Sequence, residues 1–409
     1  TCKRALFCIS KLLYSLNKPY IGLIVPLIPN NVRQMGGNHI QIGLLGSLYA
    51  GFQLGSGPLI GNLSDLRGRK QILILTLIVC SLAYMILGLT SSVAVILLLR
   101  AVLGLFKQTQ LLTKALVPDY EKDEKKQSKI YGKMAAISGI GITLGPIIGG
   151  HIAEDYPSHG FSFIGIAVSI VFIINAGLVT LLPNVTIPVK KKSDIKGSQH
   201  NIFLMPLNCV KQSFVELSKV KWSKYWTIFM FQATSSFAMG VYYSSYSLYL
   251  KTQFGLTPKH VGYVVSVQGV IGTVSSFLIG YINSFYSHDN NYSIRNHHVF
   301  LLKTLSLLGI CLSFNIIMYA ILLIPLSIGN AVGRLVTLEM IVKSSHEDHR
   351  GTLIGASNSV RSLSGVVAPM LAGLVGEYCG IEYVLYPSFL STLVGLIISY
   401  QYKRHVKIE

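Results

Sequence analysis

The sequence has few charged residues, and acidic residues are the scarcer kind. Asp, Glu, Lys and Arg together make up 12% of the 409 residues, about half of the roughly 25% that is typical of soluble domains. Apolar residue types make up 51% of the chain. This shortage of charge excludes an ordinary soluble domain and indicates a chain buried in a lipid bilayer.

The sequence also lacks the short motifs of common catalytic and cofactor sites. It contains no G-x-x-x-x-G-K-[ST] phosphate loop, no H-E-x-x-H zinc motif and no G-x-S-x-G nucleophile turn. Its six cysteines form no C-x-x-C pair and have no metal-like spacing, so they predict no disulfide framework. We therefore expect a protein that is not an enzyme and needs no cofactor or metal.

Long apolar runs recur along the whole chain. A bilayer core about 30 Å thick needs roughly 20 predominantly apolar residues per helix. The predicted spans are 5–29, 40–61, 71–91, 93–117, 130–152, 161–182, 225–250, 258–282, 298–314, 316–342, 351–376 and 383–402. Only Ser313 to Asn315 offers a turn between the ninth and tenth spans. The sequence thus predicts an all-α membrane protein with twelve transmembrane helices.

The positions of the basic residues predict how the chain is oriented. A formal net charge of +19 would suggest a nucleic-acid partner for a soluble protein, but here the bases fall on alternate loops. The basic segments on one side are Lys3 and Arg4, 67–70, 122–129, 190–196, Arg295, 343–350 and 403–407. The positive-inside rule places both termini and the long middle loop in the cytosol. We expect a lipid bilayer and a small molecule as partners, and no nucleic acid.

A polar segment and an internal repeat divide the chain. Residues 183–224 are polar and carry apolar residues at helical spacing, which predicts a cytosolic linker with an amphipathic helix between a bundle over 1–182 and a bundle over 225–409. Aligning Pro146 with Pro369 places "GKMAAISGIGITLGPIIGG" over "GASNSVRSLSGVVAPMLAG". The repeat indicates two pseudo-symmetric six-helix bundles, an arrangement that puts a transport site between the halves near the bilayer midplane.

The loop between the second and third spans reads "GNLSDLRGRK" from Gly61 to Lys70. Glycines permit a tight turn there, and an acid at the membrane surface can face a helix N-terminus and pair with nearby bases. The loop resembles the signature of the major facilitator superfamily, which implies a twelve-helix transporter with a latch that breaks when the two halves rock. The predicted gating residues are Gly61, Asp65, Arg67, Gly68, Arg69 and Lys70.

The fifth span carries a second pattern that resembles a motif of this superfamily, its antiporter signature. The residues are Gly132, Gly141, Gly145, Pro146, Gly149 and Gly150. Gly141, Gly145 and Gly149 form a stripe at i, i+4 spacing on which another helix can pack closely, and proline adds a kink that neighbouring groups can satisfy. The resemblance implies antiport, although a close-packing helix alone explains the same pattern.

The fourth span contains three cations. Arg100, Lys107 and Lys114 recur every seven residues and would share one face of a continuous helix. Charge inside a membrane is costly, so we expect these side chains to face a water-filled cavity or a partner, with Gln108 beside them. Lys114 lies close enough to the cytosolic end to snorkel instead. Arg100 resembles the superfamily's R-x-x-x-G arginine, which is associated with proton handling.

The first span contains "SLNKPYIGLIVPLIP", which resembles the first helix of the bacterial tetracycline antiporters. In that family an Asp stands at the position of Asn17. Because an amide carries no proton, this departure argues against proton antiport through the usual residue. Lys18 adds a cation instead, and Lys11 lies on the same helix face.

The C-terminal half adds polar residues inside its predicted spans. Asn330, Arg334 and Glu339 lie in the tenth span and Arg361 in the eleventh. Glu339 is either a fixed ion pair with Arg334, Lys343 or Arg361, or a protonatable switch.

The seventh span is rich in Ser and Tyr, which indicates a cavity lining. Tyr242 and Tyr243 are candidates for stacking on a substrate or hydrogen-bonding to it. An interfacial aromatic belt explains later tyrosines such as Tyr246 equally well.

The excess of intramembrane cations over acids favours an organic anion, or a polar solute with an anionic group, as the substrate of a secondary transporter. The predicted binding residues are Asn17, Lys18, Arg100, Lys107, Gln108, Tyr242, Tyr243, Asn330 and Arg334. Glu339 and Arg100 are the candidates for coupling to protons, with another ion as the alternative. A proton-coupled drug antiporter and a non-transporting receptor or scaffold remain open.

Two further segments point to a narrower branch of the superfamily. "RAVLGLFKQT" and "NAGLVTLLP" resemble the eukaryotic orphan branch called major facilitator superfamily domain-containing protein 9. That branch implies no settled substrate. We also expect the protein to be a monomer.

Overall fold

The computed structural model describes residues 19–183, 222–286, 288–289, 291–344 and 350–408. Three residues predicted to lie in the first span, Lys11, Asn17 and Lys18, are outside the described residues. The predicted linker helix lies outside them as well. Every regular element in the described ranges is a helix.

The described residues form fifteen α-helices and one 3-10 helix, Ile381–Tyr383. The α-helices are α1 (Pro19–Ile24), α2 (Ile28–Gln34), α3 (His39–Arg67), α4 (Arg69–Leu89), α5 (Val93–Phe106), α6 (Thr109–Tyr120), α7 (Glu124–Asp155), α8 (Gly160–Thr180), α9 (Trp222–Phe254), α10 (Pro258–Phe277), α11 (Ile279–Ser284), α12 (Ser293–Cys311), α13 (Ile316–Ser344), α14 (Arg350–Tyr378) and α15 (Tyr386–Ile408).

These helices make twelve membrane-crossing segments, as the sequence predicted. Three spans are each broken into two helices, namely α1 with α2, α5 with α6, and α10 with α11. Seven segments among the described residues are long and apolar enough on their own to cross a bilayer. Outward-facing side chains such as Leu82 and Ile173 are half exposed, which suits contact with lipid. The short turn expected at Ser313 to Asn315 separates α12 from α13.

Helices pack closely within each half of the molecule. In the first half, α4 packs along α8 and α5 along α3, while in the second half α12 packs against α13 and α15. Gly88 of α4 lies directly on α8, where a Cβ atom would sit 2.9 Å from the Cα of Gly165. Such small residues let two helix backbones approach in a membrane.

Two helix pairs make the main contacts between the halves, and each contact contains one of the aligned prolines. α3 packs against α14, and α7 packs against α10. Gly43 and Gly46 of α3 pack on Pro369, and Gly262 of α10 packs on the backbone of Pro146. The prolines that align in the sequence repeat therefore make equivalent contacts in space.

Both contacts lie toward the membrane face that holds the loops 35–38, 156–159, 255–257 and 379–385. We call this face the opposite side. The face that holds the end of α15 is called the terminus side. The halves are therefore in closest contact away from the terminus side.

Candidate substrate cavity

A cavity of about 1130 Å³ lies between the two halves, on the terminus side of these contacts. Its walls come from α6 and α7 of the first half and from α9, α10 and α13 of the second. The long polar side chains on its wall are Gln110, Lys114, Tyr131, Tyr243, Gln268, Asn330 and Arg334. A mainly concave site of this size, with a few convergent polar groups, is typical of a small-molecule site.

The charge on the cavity wall is entirely positive. Lys114 and Arg334 are the charged residues on the wall, and no described lining residue is acidic. Arg334 makes no hydrogen bond or ion pair with another described residue, and its side chain is exposed to the cavity. Lys114 faces the same space from α6, so it does not snorkel into the lipid. An anion entering this cavity would meet two uncompensated cations.

Three of the predicted binding residues come together on the second-half wall. Asn330 Nδ2 donates a hydrogen bond to the hydroxyl of Tyr243 at 3.2 Å. Arg334 follows one turn after Asn330 on α13, so both side chains point to the same space. The result is a phenol, an amide and a guanidinium presented together.

Tyr242 does not belong to this group. Its hydroxyl pairs with that of Tyr319 at 2.9 Å, and its ring stacks on Tyr246 with centroids 5.8 Å apart. Both Tyr242 and Tyr246 are buried in the core of the second half. Neighbouring residues on a helix point about 100° apart, so Tyr243 reaches the cavity while Tyr242 faces away from it.

Two predicted cations of the fourth span, Arg100 in α5 and Lys107 just after it, lie inside the first half. The Nε of Arg100 donates to the carbonyl of Leu45 at 3.1 Å, and its guanidinium lies 4.6 Å from the ring centroid of Tyr49. Lys107 Nζ donates to the hydroxyl of Tyr84 at 2.5 Å. Both side chains are 8% exposed. Neither Arg100 nor Lys107 is among the described residues that line the cavity.

A break in the fourth span explains why its cations separate. The helix stops at Phe106 and restarts at Thr109, with ψ angles of 49° at Lys107 and 22° at Gln108. The seven-residue spacing predicts one shared face only for a continuous helix. Because the break rotates α6 relative to α5, Lys114 faces the cavity while Arg100 and Lys107 face the core of the first half.

Polar side chains satisfy the backbone at this break. Gln108 Nε2 donates to Ser56 Oγ at 2.7 Å and to the carbonyl of Gln53 at 3.1 Å. Ser56 Oγ donates in turn to the carbonyl of Gly104 at 3.1 Å. Non-helical backbone at membrane depth needs such partners. The break was not predicted, although the polar run "KQTQ" from Lys107 to Gln110 inside an apolar span is a signal for it.

We expect Ser56→Ala to lower the free energy of unfolding by about 1–3 kcal/mol, because it removes the side-chain donor to the buried carbonyl of Gly104 and one of the two acceptors of the Gln108 amide. Ser56 is fully buried. The melting temperature in detergent measures the loss. Ser92→Ala is the control, since Ser92 is exposed and its side chain makes no cap bond. Equal melting temperatures for both variants would show that the break does not depend on Ser56.

The predicted gating loop forms a network around Arg69. Its guanidinium contacts Asp65 at 2.9 Å and Asp119 at 2.7 Å, and donates to the carbonyl of Ala115 at 2.8 Å. Gly68 has a φ of 97°, a conformation that favours glycine. Asp119, near the end of α6, was missed because its sequence neighbourhood carries no motif.

Of the remaining loop residues, Lys70 is bonded to the end of α8, whereas Arg67 and Gly61 are more open. Lys70 Nζ donates to the carbonyls of Thr180 and Leu182, at 3.0 and 2.5 Å. Arg67 is exposed, and nothing lies within 4 Å of a Cβ atom at Gly61. All of the described bonds of this loop stay within the first half.

The glycine stripe of the fifth span packs against the first span. A Cβ atom at Gly22 of α1 would lie 3.1 Å from the carbonyl oxygen of Gly141 and 3.3 Å from the Cα of Gly145, and Gly149 packs on the backbone of Leu23. Gly150 instead packs on Pro258 of α10. Gly132 has open space around it and lies on the cavity wall.

Glu339 is paired with a residue that is not among its three predicted partners. Its carboxylate lies 3.6 Å from Nη1 of Arg295 on α12. The expected partners were Arg334, Lys343 and Arg361. The sequence predicts Arg295 in a loop, but α12 begins at Ser293 and brings it into the helix.

Lys303 is a second buried polar residue of α12 that was not predicted. It is fully buried in α12, and its Nζ donates to Ser235 Oγ at 2.6 Å. A lone lysine within an apolar run was the available signal.

Comparison with known proteins agrees with this architecture. The profile of the Major Facilitator Superfamily matches residues 12–369 and 234–407. The quinolone resistance protein NorA of Staphylococcus aureus strain COL is 25% identical over 401 residues, which cover 94% of this chain and 93% of NorA.

Solved structures share the fold at lower identity. An inward-facing, unoccupied bacterial homolog of the human lysosomal transporter Spinster has a TM-score of 0.76 at 14% identity, covering 99% of this chain and 97% of that one. The human organic anion transporter MFSD10 (TETRAN) has a TM-score of 0.65 at 17% identity, covering 97% and 99%. With its superfamily profile matched over most of its length, this protein belongs to the major facilitator superfamily.

Proposed function

We propose that this secondary transporter moves a small organic anion, or a polar solute with an anionic group, by alternating access. The observation that carries the proposal is the cavity wall, which holds Lys114 and Arg334 and, among the described residues, no acid. An uncompensated guanidinium within a membrane is costly. A bound carboxylate, sulfonate or phosphate would neutralise it, so the charge balance favours an anionic ligand.

The proposed binding group is Arg334 together with Asn330 and Tyr243. A guanidinium presents a planar fork that matches a carboxylate or phosphate in a bidentate manner. The hydroxyl of Tyr243 already accepts a hydrogen bond from Asn330, which leaves its own proton free to be donated. Lys114 faces the ligand from the other half, so the anion would contact both halves at once.

We propose other roles for the predicted residues that lie outside this binding group. Arg100, Lys107 and Gln108 would act on the substrate indirectly, by holding the broken fourth span in place. Asn17 and Lys18 remain proposed contacts from the first span. We propose that Glu339 acts as a fixed ion pair with Arg295, and that protons or another ion supply the driving gradient.

The proposal includes the orientation of the protein in the membrane and the bounds of the two bundles and their linker. Both termini are proposed to be cytosolic, which makes the present arrangement inward-facing. The proposed units are 1–182, 183–224 and 225–409, assembled as a monomer. The resemblance to the orphan branch of major facilitator superfamily domain-containing protein 9 also stays a proposal.

The alternative function is a proton-coupled antiporter of drugs or organic cations. The name of NorA, a quinolone resistance protein, and the glycine pattern of the fifth span favour this alternative. The amide at Asn17 and the absence of acids from the described cavity wall disfavour it.

The proposal is tested by the thermal stability of the purified protein against a panel of solutes sorted by charge. The panel contains aliphatic and aromatic carboxylates, sulfonates and phosphate monoesters, with amines and alcohols of matching size. A ligand that binds only the folded state raises the melting temperature by mass action. We expect stabilisation by anions. Stabilisation by amines alone would favour the antiporter of organic cations.

A further inference from the structure

A glutamate of the second half caps a helix of the first half. The backbone N–H of His39, the first residue of α3, donates to Oε2 of Glu377 at 2.9 Å. Glu377 lies near the end of α14. The side chain of the local N-cap residue, Asn38, accepts from the N–H of Gln41 at 2.8 Å, and the Gln41 side chain accepts from the N–H of Asn38 at 3.1 Å. Glu377 therefore satisfies a terminal N–H group that the local capping box leaves open.

A glutamate of the first half caps a helix of the second half in the same way. The backbone N–H of Lys259, in the first turn of α10, donates to Oε2 of Glu154 at 3.2 Å. The hydroxyl of Thr257 and Nδ1 of His260 are hydrogen-bonded at 2.7 Å. Thr257 is the N-cap residue but makes no side-chain cap bond of its own. The start of α10 thus receives its carboxylate cap from the opposing half.

The two contacts are equivalent in the sequence repeat. Glu154 follows Pro146 by eight residues, and Glu377 follows Pro369 by eight residues. Those prolines align with each other, and each packs on a glycine of the helix that its glutamate caps, Gly262 for Pro146 and Gly43 for Pro369. The same arrangement therefore joins the halves twice: a proline packs on a glycine of the opposing helix, and a glutamate eight residues later caps that helix.

We propose that Glu154 and Glu377 are paired gating residues that hold the opposite side closed while the cavity is open to the terminus side. Each carboxylate sits at a helix N-terminus, where the macrodipole and unsatisfied N–H groups attract negative charge. Both bonds cross between halves, so both must break when the halves rock the other way. The inference rests on the alternating access of the proposed function, but it does not depend on the substrate.

The gate is tested by double electron–electron resonance, which measures the distance between two nitroxide labels, on the substrate-free protein in lipid nanodiscs. Nitroxide labels are placed at Ser158→Cys and Gln253→Cys, two exposed opposite-side positions in different halves, in a background without other cysteines. In the Glu154→Ala, Glu377→Ala double variant we expect the ratio of molecules with a long label distance to molecules with a short one to rise about tenfold. Each lost contact between a carboxylate and a helix N-terminus should shift the equilibrium between the closed and open opposite side a few-fold. Each single variant should give part of this rise.

The matched control is Glu382→Gln, an exposed acid on the same side that makes no bond to the first half in the described part of the chain. It should leave the distances unchanged. If the Glu154→Ala, Glu377→Ala variant does not fold, the Glu154→Gln, Glu377→Gln variant replaces it in the same measurement. We expect this variant to raise the ratio of long to short distances by a smaller factor. An unchanged distance distribution in the folded double variant would overturn the gate. Failure to bind anions would leave this readout intact, so the two proposals fail separately.

Discussion

The Arg334→Gln variant should bind organic anions about 100-fold more weakly than the parent, or worse, because removing one partner of a desolvated charge pair costs about 2–5 kcal/mol. The side chain is exposed to the cavity and has no described partner there, so its loss leaves the rest of the wall intact. Titration of an anion that stabilises the parent, followed by melting temperature, measures the change.

Two further variants make the result specific. Arg334→Lys keeps the charge but loses the planar fork, so we expect an intermediate affinity. Arg404→Gln removes an exposed cation of α15 outside the cavity and should bind like the parent. The melting temperature of Arg334→Gln without ligand should not fall, since the substitution removes an unpaired charge. Parent-like affinity in Arg334→Gln would exclude Arg334 from the site.

The Gly43→Ala variant should lose at least about tenfold in transport rate, because it places a methyl group at the contact between the halves. A Cβ atom there would lie 3.0 Å from the Cα of Gly373 and against the carbonyl of Pro369. Backbone atoms cannot yield as a flexible side chain would, and overpacking of this kind costs about 1–3 kcal/mol. Closure on the opposite side would then become unfavourable.

Gly51→Ala is the matched control for this prediction. It adds the same methyl group to the same helix, α3, facing the same partner helix, but at an ordinary 3.8 Å from Cγ2 of Val366. We expect its transport rate to match that of the parent. Initial uptake rates in proteoliposomes, normalised to folded protein, compare the variants. Equal rates for Gly43→Ala and the parent would show that the α3–α14 contact does not limit the cycle.

The sequence predicted the architecture well because apolar run length depends only on local composition. Within the described residues each of the twelve predicted spans contributes at least one helix, the short turn before α13 is present, and the repeat centred on Pro146 and Pro369 corresponds to equivalent contacts between the halves. These features need no knowledge of which helices are neighbours.

The candidate site was less predictable, because it depends on helix breaks and on packing between distant segments. Arg100, Lys107 and Lys114 share a face only in an unbroken helix, and the break at Gln108 is held by Ser56 of another span. The pairing of Glu339 with Arg295 likewise follows from where α12 begins. Periodicity within one span cannot reveal either feature.

Counterflow in proteoliposomes is the most direct test of transport of an anion by alternating access. Vesicles are loaded with the unlabelled carboxylate that stabilises the purified protein most, and are then diluted into a trace of the same carboxylate carrying a radiolabel. We expect transient uptake of label above that of protein-free vesicles, absent with Arg334→Gln. Binding of the carboxylate to the protein without any such uptake would contradict transport and favour a receptor or scaffold.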